Sequence, residues 1–131
     1  MTTDRLDEQV RMLAGDACEY CRLPQSASRL RFVLDHVIAR QHGGQRVVAN
    51  VALCCGRCNR HKGPNLSGID PESQAMTRLF HPRRDAWSEH FKWVDVTLVG
   101  LTAIGRTTIA VLAINHPSQL LVREALRREA D

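Results

Sequence analysis

Two closely spaced cysteine pairs, Cys18-Glu-Tyr-Cys21 and Cys55-Gly-Arg-Cys58, frame the stretch of sequence that decides the fold. Two intervening residues put both thiolates of a pair on one tight turn facing a common point, as a tetrahedral zinc site requires. The spacing therefore predicts a structural Zn²⁺ ion with Cys18, Cys21, Cys55 and Cys58 as its ligands. A coincidental arrangement or a redox pair is the alternative interpretation.

A fifth cysteine, Cys54, lies directly before the second pair, so that Cys54 and Cys55 are both candidate ligands. The interval of two residues before Cys58 favours Cys55. We therefore expect Cys54 to be a free, buried thiol.

The composition indicates one small domain, or one small domain with an extension, because the chain has 131 residues of which 44% are hydrophobic. No apolar run reaches the roughly 18 to 20 residues that a membrane span needs. The amino-terminal residues lack the basic start and apolar stretch of a signal peptide. We therefore expect a cytoplasmic protein without membrane contact, in which five cysteines favour metal ligation over disulfides.

The positive charge is concentrated in the same stretch as the cysteines. Residues 22–62 hold eight of the 18 Lys and Arg residues but only one of the 14 Asp and Glu residues, Asp35. A basic stripe around a metal site suits a polyanion such as nucleic acid. The alternative is an ordinary solvated loop surface.

The amino-terminal half contains recognisable helix and strand patterns. Apolar residues at 6, 10 and 13 predict a helix over 4–13 that begins at Asp4 and ends at Gly15. Residues 30–38 are rich in Val, Ile and Phe and predict a strand or one arm of a hairpin. The Gly43-Gly44 pair predicts a turn, and residues 47–53 predict a short apolar segment. Residues 54–62 predict the second cysteine turn running into a short helix that Gly63 ends.

The carboxyl-terminal half is predicted from weaker patterns. Residues 65–74 have the composition of a loop. Trp87 and Phe91 stand four positions apart, which predicts a short helix with its aromatic side chains in the core. A strand over 93–99 and helices over 107–115 and 118–128 complete the expected order.

Asp35 and His36 bring together two kinds of chemistry within the predicted strand. A carboxylate is a hard ligand for Mg²⁺ or Mn²⁺, and a neutral imidazole can take a proton from water at cellular pH. Hydrolysis of a phosphodiester needs both functions. On a regular strand the two side chains point to opposite faces, unless a bulge re-aims one of them. A structural hydrogen-bonded pair is the alternative.

The complete motif resembles the HNH endonucleases of the ββα-metal superfamily, and more narrowly their zinc-stabilised bacterial members with four cysteines. The residues that carry the resemblance are Cys18-x-x-Cys21, Asp35-His36-Val-Ile, Gly43-Gly44, Asn50 and Cys55-x-x-Cys58-Asn59-x-x-Lys62-Gly63. The segment 81–91 also resembles an extension seen in a bacterial subgroup.

The resemblance implies an α+β fold with a treble-clef-like ββα-metal core and a structural zinc ion. It implies three parts: an N-terminal helix in 1–16, the HNH nuclease core in 17–66, and a C-terminal strand and helix extension in 67–131 packed on the core.

The resemblance also implies a role for each site residue. His36 matches the general base, Asp35 a ligand of the catalytic Mg²⁺ or Mn²⁺, and Asn50 the residue that holds the loop of the base through backbone hydrogen bonds. Asn59 stands where many members have His, and its amide oxygen can still bind Mg²⁺. His61 is a weaker candidate ligand, and a position on the helix surface is the favoured interpretation. Lys62, Arg57 and Arg60 are expected to contact phosphates, with solvated helix charge as the alternative.

The function implied is a metal-dependent DNA endonuclease that acts on double-stranded DNA and leaves 5′-phosphate and 3′-hydroxyl ends. The alternative is a zinc-stabilised nucleic-acid-binding module without cleavage activity. A third interpretation is a subunit whose C-terminal extension binds a protein partner or a second copy of the chain.

Overall fold

The first helix, α1 (Arg5–Ala14), has both ends encoded in its flanking residues. The computed structural model describes residues 4–130. Asp4 Oδ1 accepts a hydrogen bond from the Leu6 backbone N–H at 2.8 Å, and Gly15 ends the helix with a φ of +62°. Val10 and Ala14 are buried, whereas Leu13 is 61% exposed. The predicted helix is therefore confirmed, although its buried side carries Val10 and Ala14, at i and i+4, and not Leu13.

Two short antiparallel strands form the centre of this part of the chain. Strand β1 (Val33–His36) pairs with β2 (Val51–Cys54), which is entirely buried, in a register that sets Asp35 opposite Ala52. Asp35 is buried and His36 is half-buried, and the two strands pair without a bulge through this segment.

Strand β1 is shorter than the predicted 30–38 because side chains satisfy the backbone on its amino-terminal side. Phe32 N–H donates to Gln25 Oε1 at 2.7 Å, and Phe32 O accepts from an Arg11 Nη at 2.7 Å. These groups are therefore not available for a strand ladder.

Helix α2 (Gly56–Lys62) follows β2 directly. Cys54 completes the strand and Cys55 caps the helix with its sulfur, so the second cysteine turn runs into a short helix, as predicted. Gly63 ends it as expected. Three single turns of 3₁₀ helix connect these elements: Gln25–Ala27, Arg40–His42 and Val48–Asn50.

The chain divides into two compact units. The first contains the described residues up to Leu66 together with His81–Asp85, so α1 belongs to the same unit as residues 17–66. The second contains Ser67–Phe80 and the described residues from Ala86 onward. The predicted extension 67–131 is thus interrupted in sequence by 81–85, and its packing on the core stays a prediction. Residues 1–3 and 131 lie outside the described residues.

The second unit contains more regular structure than its sequence suggested. Residues predicted as a loop include strand β3 (Ser67–Ile69), which pairs with β4 (Met76–Arg78). The predicted strand over 93–99 is a hairpin of β5 (Phe91–Val94) and β6 (Thr97–Gly100), in which Asp95 adopts a φ of +54°. A non-glycine residue with positive φ carries little sequence signal, which explains the missed turn.

Three helices complete the second unit. Helix α3 (Trp87–His90) is the predicted short helix, and the rings of Trp87 and Phe91 lie 5.2 Å apart. Helix α4 (Ala103–Val111) begins before the predicted residue 107 because Thr102 Oγ1 caps it by accepting from Gly105 N–H at 3.1 Å. Helix α5 (Pro117–Ala130) agrees closely with its prediction. Within residues 4–130, no helix is both long and apolar enough to cross a membrane.

Candidate functional site

The four predicted zinc ligands form one buried cluster in the first unit. All four Sγ atoms lie within 4.8 Å of one another, and Cys21 Sγ is 3.9 Å from Cys55 Sγ. Four sulfurs at 2.3 Å from a tetrahedral Zn²⁺ ion are about 3.8 Å apart. The four cysteines therefore fit a structural zinc ion in both number and spacing.

Two different local structures supply the two ligand pairs. Cys18 and Cys21 lie on a turn closed by the hydrogen bonds from Cys18 N–H to Leu23 O and from Arg22 N–H to Cys18 O, both 2.9 Å. Cys55 caps α2, and its sulfur accepts the Cys58 N–H at 3.4 Å. The second pair thus gains its geometry from the start of a helix.

Cys54 is buried but lies outside this cluster, as the spacing predicted. A hydrogen bond with Cys18 and burial raise the pKa of the Cys54 thiol. Cys54 is the last residue of β2, and its absence from the group of four close sulfurs separates it from the expected zinc ligands.

Asp35 lies in the interior and has two polar partners. Tyr20 Oη donates to Asp35 Oδ2 at 2.9 Å, and Lys62 Nζ lies 3.3 Å from Oδ1 and 3.2 Å from Oδ2. Burial raises the pKa of the Asp35 carboxyl, while the positive charge of Lys62 and the Tyr20 hydroxyl act in the opposite direction. Asp35 is thus already neutralised by an ammonium ion.

Lys62 does not lie on the surface where a phosphate contact was expected. Its side chain is 1% exposed, and its ammonium group also donates to His36 O at 3.2 Å and Gly63 O at 3.4 Å. The assignment of Lys62 to phosphate binding therefore does not fit the structure. Arg60 is exposed and Arg57 half-buried on the same helix.

His36 lines a surface depression of about 330 Å³ together with Asp35 and Asn59. The volume exceeds that of several water molecules at roughly 30 Å³ each. The three predicted site residues therefore meet at one place. Arg40, Gln41 and Gly63 contribute to the same wall, along with Leu34, Ala39 and Pro64.

The environment of His36 favours the neutral imidazole. Partial burial, and then the positive charge of Arg40, lower the pKa of His36, although Asp35 opposes this shift. The Nε2 atom of His36 is buried and has no hydrogen-bond partner among residues 4–130.

Asn50 lies away from the depression and binds the backbone of the loop that follows His36. Its Oδ1 accepts from Ile38 N–H at 2.9 Å, while its Nδ2 donates to Ile38 O at 2.9 Å and Gln45 O at 3.0 Å. Gly44 makes this closure possible, because a Cβ there would lie 1.6 Å from Ile38 O. All three hydrogen bonds of the amide thus serve to hold residues 38–45.

Three residues of the site were not foreseen from the sequence: Tyr20, Arg40 and Gln41. Arg40 follows His36 by four positions and belongs to the basic stretch, so its position offered a local signal. Tyr20 offered none, because its hydroxyl meets Asp35 only after the zinc-binding turn and β1 are brought together.

Comparison with known proteins agrees with the motif. Residues 18–65 match the family model described as HNH endonuclease, so this segment is an HNH domain, as the sequence predicted. The Septu protein PtuB of Bacillus thuringiensis is 26% identical to the chain over 111 residues. The match covers 83% of this chain and 40% of that protein, so the chain spans about two fifths of its relative. No solved structure gives a significant match.

Proposed function

We propose that this protein is a metal-dependent endonuclease that hydrolyses phosphodiester bonds of double-stranded DNA, with His36 as the general base. The observation that carries the proposal is the meeting of His36, Asp35 and Asn59 at one depression within an HNH domain. A zinc-binding module that only binds nucleic acid has no need of this combination.

His36 takes the proton of the attacking water in this mechanism. The lowered pKa keeps the imidazole neutral at cellular pH. Because Nε2 is buried, the proposal assigns the acceptance of the proton to Nδ1. Asn50 supports this role by holding the backbone two residues beyond His36, which limits the movement of the ring relative to the depression.

Asp35 and Asn59 provide the hard oxygen donors that suit Mg²⁺ or Mn²⁺. An ion held there would supply positive charge at the scissile phosphate and at the departing 3′ oxygen. Lys62 already places one positive charge beside Asp35, and a divalent ion would have to share that carboxylate with it or displace it. The expected products carry 5′-phosphate and 3′-hydroxyl ends.

DNA binding in this proposal rests on arginine side chains around the depression, of which Arg40 and Arg60 are exposed and Arg57 is half-buried. Arg40 lines its wall, and Arg60 and Arg57 lie on the adjoining helix α2. Such contacts neutralise phosphates without reading bases, so affinity should fall steeply with salt and depend little on sequence.

The buried ion pair favours a second candidate function. Because Lys62 already neutralises Asp35, the protein would need no catalytic metal if it were a zinc-stabilised nucleic-acid-binding module. Exposed Arg60 and the wall residue Arg40 would serve such a module equally well.

Cleavage of supercoiled plasmid in a series of Mg²⁺ and Mn²⁺ concentrations distinguishes the two functions. The endonuclease requires that wild type nicks DNA and that His36→Ala is slower by about 10²- to 10⁴-fold while it binds DNA normally. His61→Ala is the matched control, because His61 is an exposed histidine of α2 and should be dispensable. Absence of cutting by wild type, with unchanged DNA binding by His36→Ala, would support the binding module instead.

A further inference from the structure

Arg83 is a residue of the first unit, and all three nitrogens of its guanidinium group form hydrogen bonds within that unit. Its Nη atoms bind both carboxylate oxygens of Glu19, one of them at 2.9 Å, and its Nε donates to Val48 O at 3.1 Å. The side chain is only 13% exposed. A planar fork of donors meets these two acceptors at once, which a point charge cannot do.

The partner carboxylate belongs to the zinc-binding turn. Glu19 lies between Cys18 and Cys21, is buried, and also accepts the Leu53 N–H at 2.7 Å through Oε2. A buried carboxylate without a cation is costly, so Arg83 is the counter-ion that this position requires.

The other acceptor belongs to the turn that carries Asn50. Val48 begins the 3₁₀ turn Val48–Asn50, and Asn50 holds both backbone groups of Ile38, two residues beyond His36. The hydrogen bond from Arg83 therefore acts on the same turn from which the His36 loop is held.

The short segment His81–Asp85 is built to present this side chain. His81 N–H donates to Asp85 Oδ2 at 2.8 Å, Arg83 N–H donates to His81 Nδ1 at 3.1 Å, and Asp85 N–H donates to His81 O at 2.9 Å. These bonds order the backbone on both sides of Arg83. They also give a physical reason for the spacing His81-x-Arg83-x-Asp85.

We infer that Arg83 is a positioning residue of the nuclease site: it ties the turn that carries Asn50 to the zinc-binding turn and thereby orients the loop after His36. The catalytic part of this inference rests on the proposed function, whereas the effect on the loop does not. The loop effect can be measured without any cleavage.

Arg83→Lys tests the inference without removing the charge that Glu19 needs. One ammonium group can still pair with Glu19, but it cannot also form the two-fold hydrogen bond to the carboxylate and the hydrogen bond to Val48 O. We expect a folded protein with one bound zinc. Its kcat should be lowered by about 10- to 100-fold with an unchanged KM for DNA, because Arg83 orients residues of the site without contacting the substrate. Arg84→Gln is the matched control, because Arg84 is the exposed neighbour, and it should keep the wild-type kcat.

Amide hydrogen exchange provides the readout that is independent of activity. The Ile38 N–H should exchange faster in Arg83→Lys than in wild type and Arg84→Gln, because its acceptor Asn50 is held less firmly. Unchanged exchange at Ile38 and an unchanged kcat in a folded Arg83→Lys protein would overturn the inference. Loss of zinc or of folding in Arg83→Lys would also overturn it, since the role would then be structural.

Failure of the proposed endonuclease function and failure of the positioning role of Arg83 give different results. If wild type does not cut DNA under any metal condition, the proposed function fails, and the exchange of Ile38 alone decides whether Arg83 positions the loop. If wild type cuts but Arg83→Lys cuts equally well, only the positioning role fails.

Discussion

Lys62 Nζ lies 3.2 Å from Asp35 Oδ2, and the two side chains are only 1% and 5% exposed. An ammonium ion from α2 and a carboxylate of β1 therefore neutralise each other in the interior, next to His36 in sequence. This pair connects the end of α2 with β1, because Lys62 also donates to His36 O. Because of this ion pair, Lys62 is not a surface cation and Asp35 is not a free carboxylate.

Lys62→Met should strongly destabilise the protein because it leaves the Asp35 carboxylate buried without a cation. Removal of one partner of a buried ion pair costs about 3 to 5 kcal/mol of unfolding free energy. Urea denaturation of Lys62→Met, Asp35→Asn and the double variant measures the coupling, and the double variant should lose less than the sum. Arg60→Met is the control and should stay within about 0.5 kcal/mol of wild type. Additive losses would contradict the pairing.

Cys21→Ser should abolish zinc binding and most of the folded structure, whereas Cys54→Ala should retain a full equivalent of zinc. Cys21 belongs to the four-sulfur cluster, and Cys54 does not. Because the energy of a structural zinc site is folding energy, loss of a ligand unfolds the domain. Metal analysis together with circular dichroism measures both effects. Normal folding of zinc-free Cys21→Ser, or loss of zinc from Cys54→Ala, would show that the ligands are wrongly assigned.

Asn50→Ala should lower cleavage much more than DNA affinity. It removes three hydrogen bonds and leaves the two backbone groups of Ile38 and the Gln45 carbonyl without their partner. Single-turnover cleavage and a binding titration separate the two quantities. Asn65→Ala, at an exposed position after α2, should affect neither. An equal loss of affinity and rate in Asn50→Ala would point to a direct DNA contact instead.

The pH dependence of cleavage should report the His36 environment. Burial and Arg40 lower the pKa of His36, so the base is neutral down to a lower pH and the rise in kcat/KM should have its midpoint below 6.5. Arg40→Gln removes a positive charge that disfavours the imidazolium, so the midpoint should move to higher pH. His42→Gln removes an exposed histidine of the same loop and should leave it in place. If the midpoint of the kcat/KM profile is the same in Arg40→Gln and wild type, His36 is not the titrating base.

Stability at low pH should depend on the Asp70–Arg106 pair of the second unit. Two guanidinium nitrogens of Arg106 lie 3.0 and 2.9 Å from the Asp70 carboxylate and hold its pKa well below the usual range. A depressed pKa gives stability that is complete above the unfolded value of about 3.9 and is lost as the pH falls through the folded value.

Asp70→Asn should therefore lower the melting temperature by several degrees at pH 5 to 7, by a nearly constant amount. The difference from wild type should narrow only below about pH 3.9. Glu72→Gln is the control, because Glu72 contacts the same arginine from a largely exposed position and should change little at any pH. A difference that is independent of pH down to acid unfolding would show that the charge of Asp70 is unimportant.

Features encoded by neighbouring residues were predictable from the sequence alone. The two cysteine pairs predicted the cluster because their spacing sets a local turn and a helix start. Asp4 and Gly15 predicted the limits of α1 because a cap acts on backbone groups within one turn. The motif around Asp35 and His36 predicted the HNH domain, which the family match confirms.

Partnerships between distant residues were decided only by the tertiary structure. Lys62 on a basic helix looked like a surface cation, and its partner Asp35 lies 27 residues away. Arg83 and Glu19 are separated by 64 residues, and nothing in the local pattern of either indicates the other. Whether a charged side chain is solvated or buried depends on what packs against it, and only the folded chain brings these partners together. The sequence by itself thus determined the four-cysteine cluster and the HNH domain, because both depend on closely spaced residues. The tertiary structure decided which charged side chains are buried in ion pairs and which are exposed to solvent.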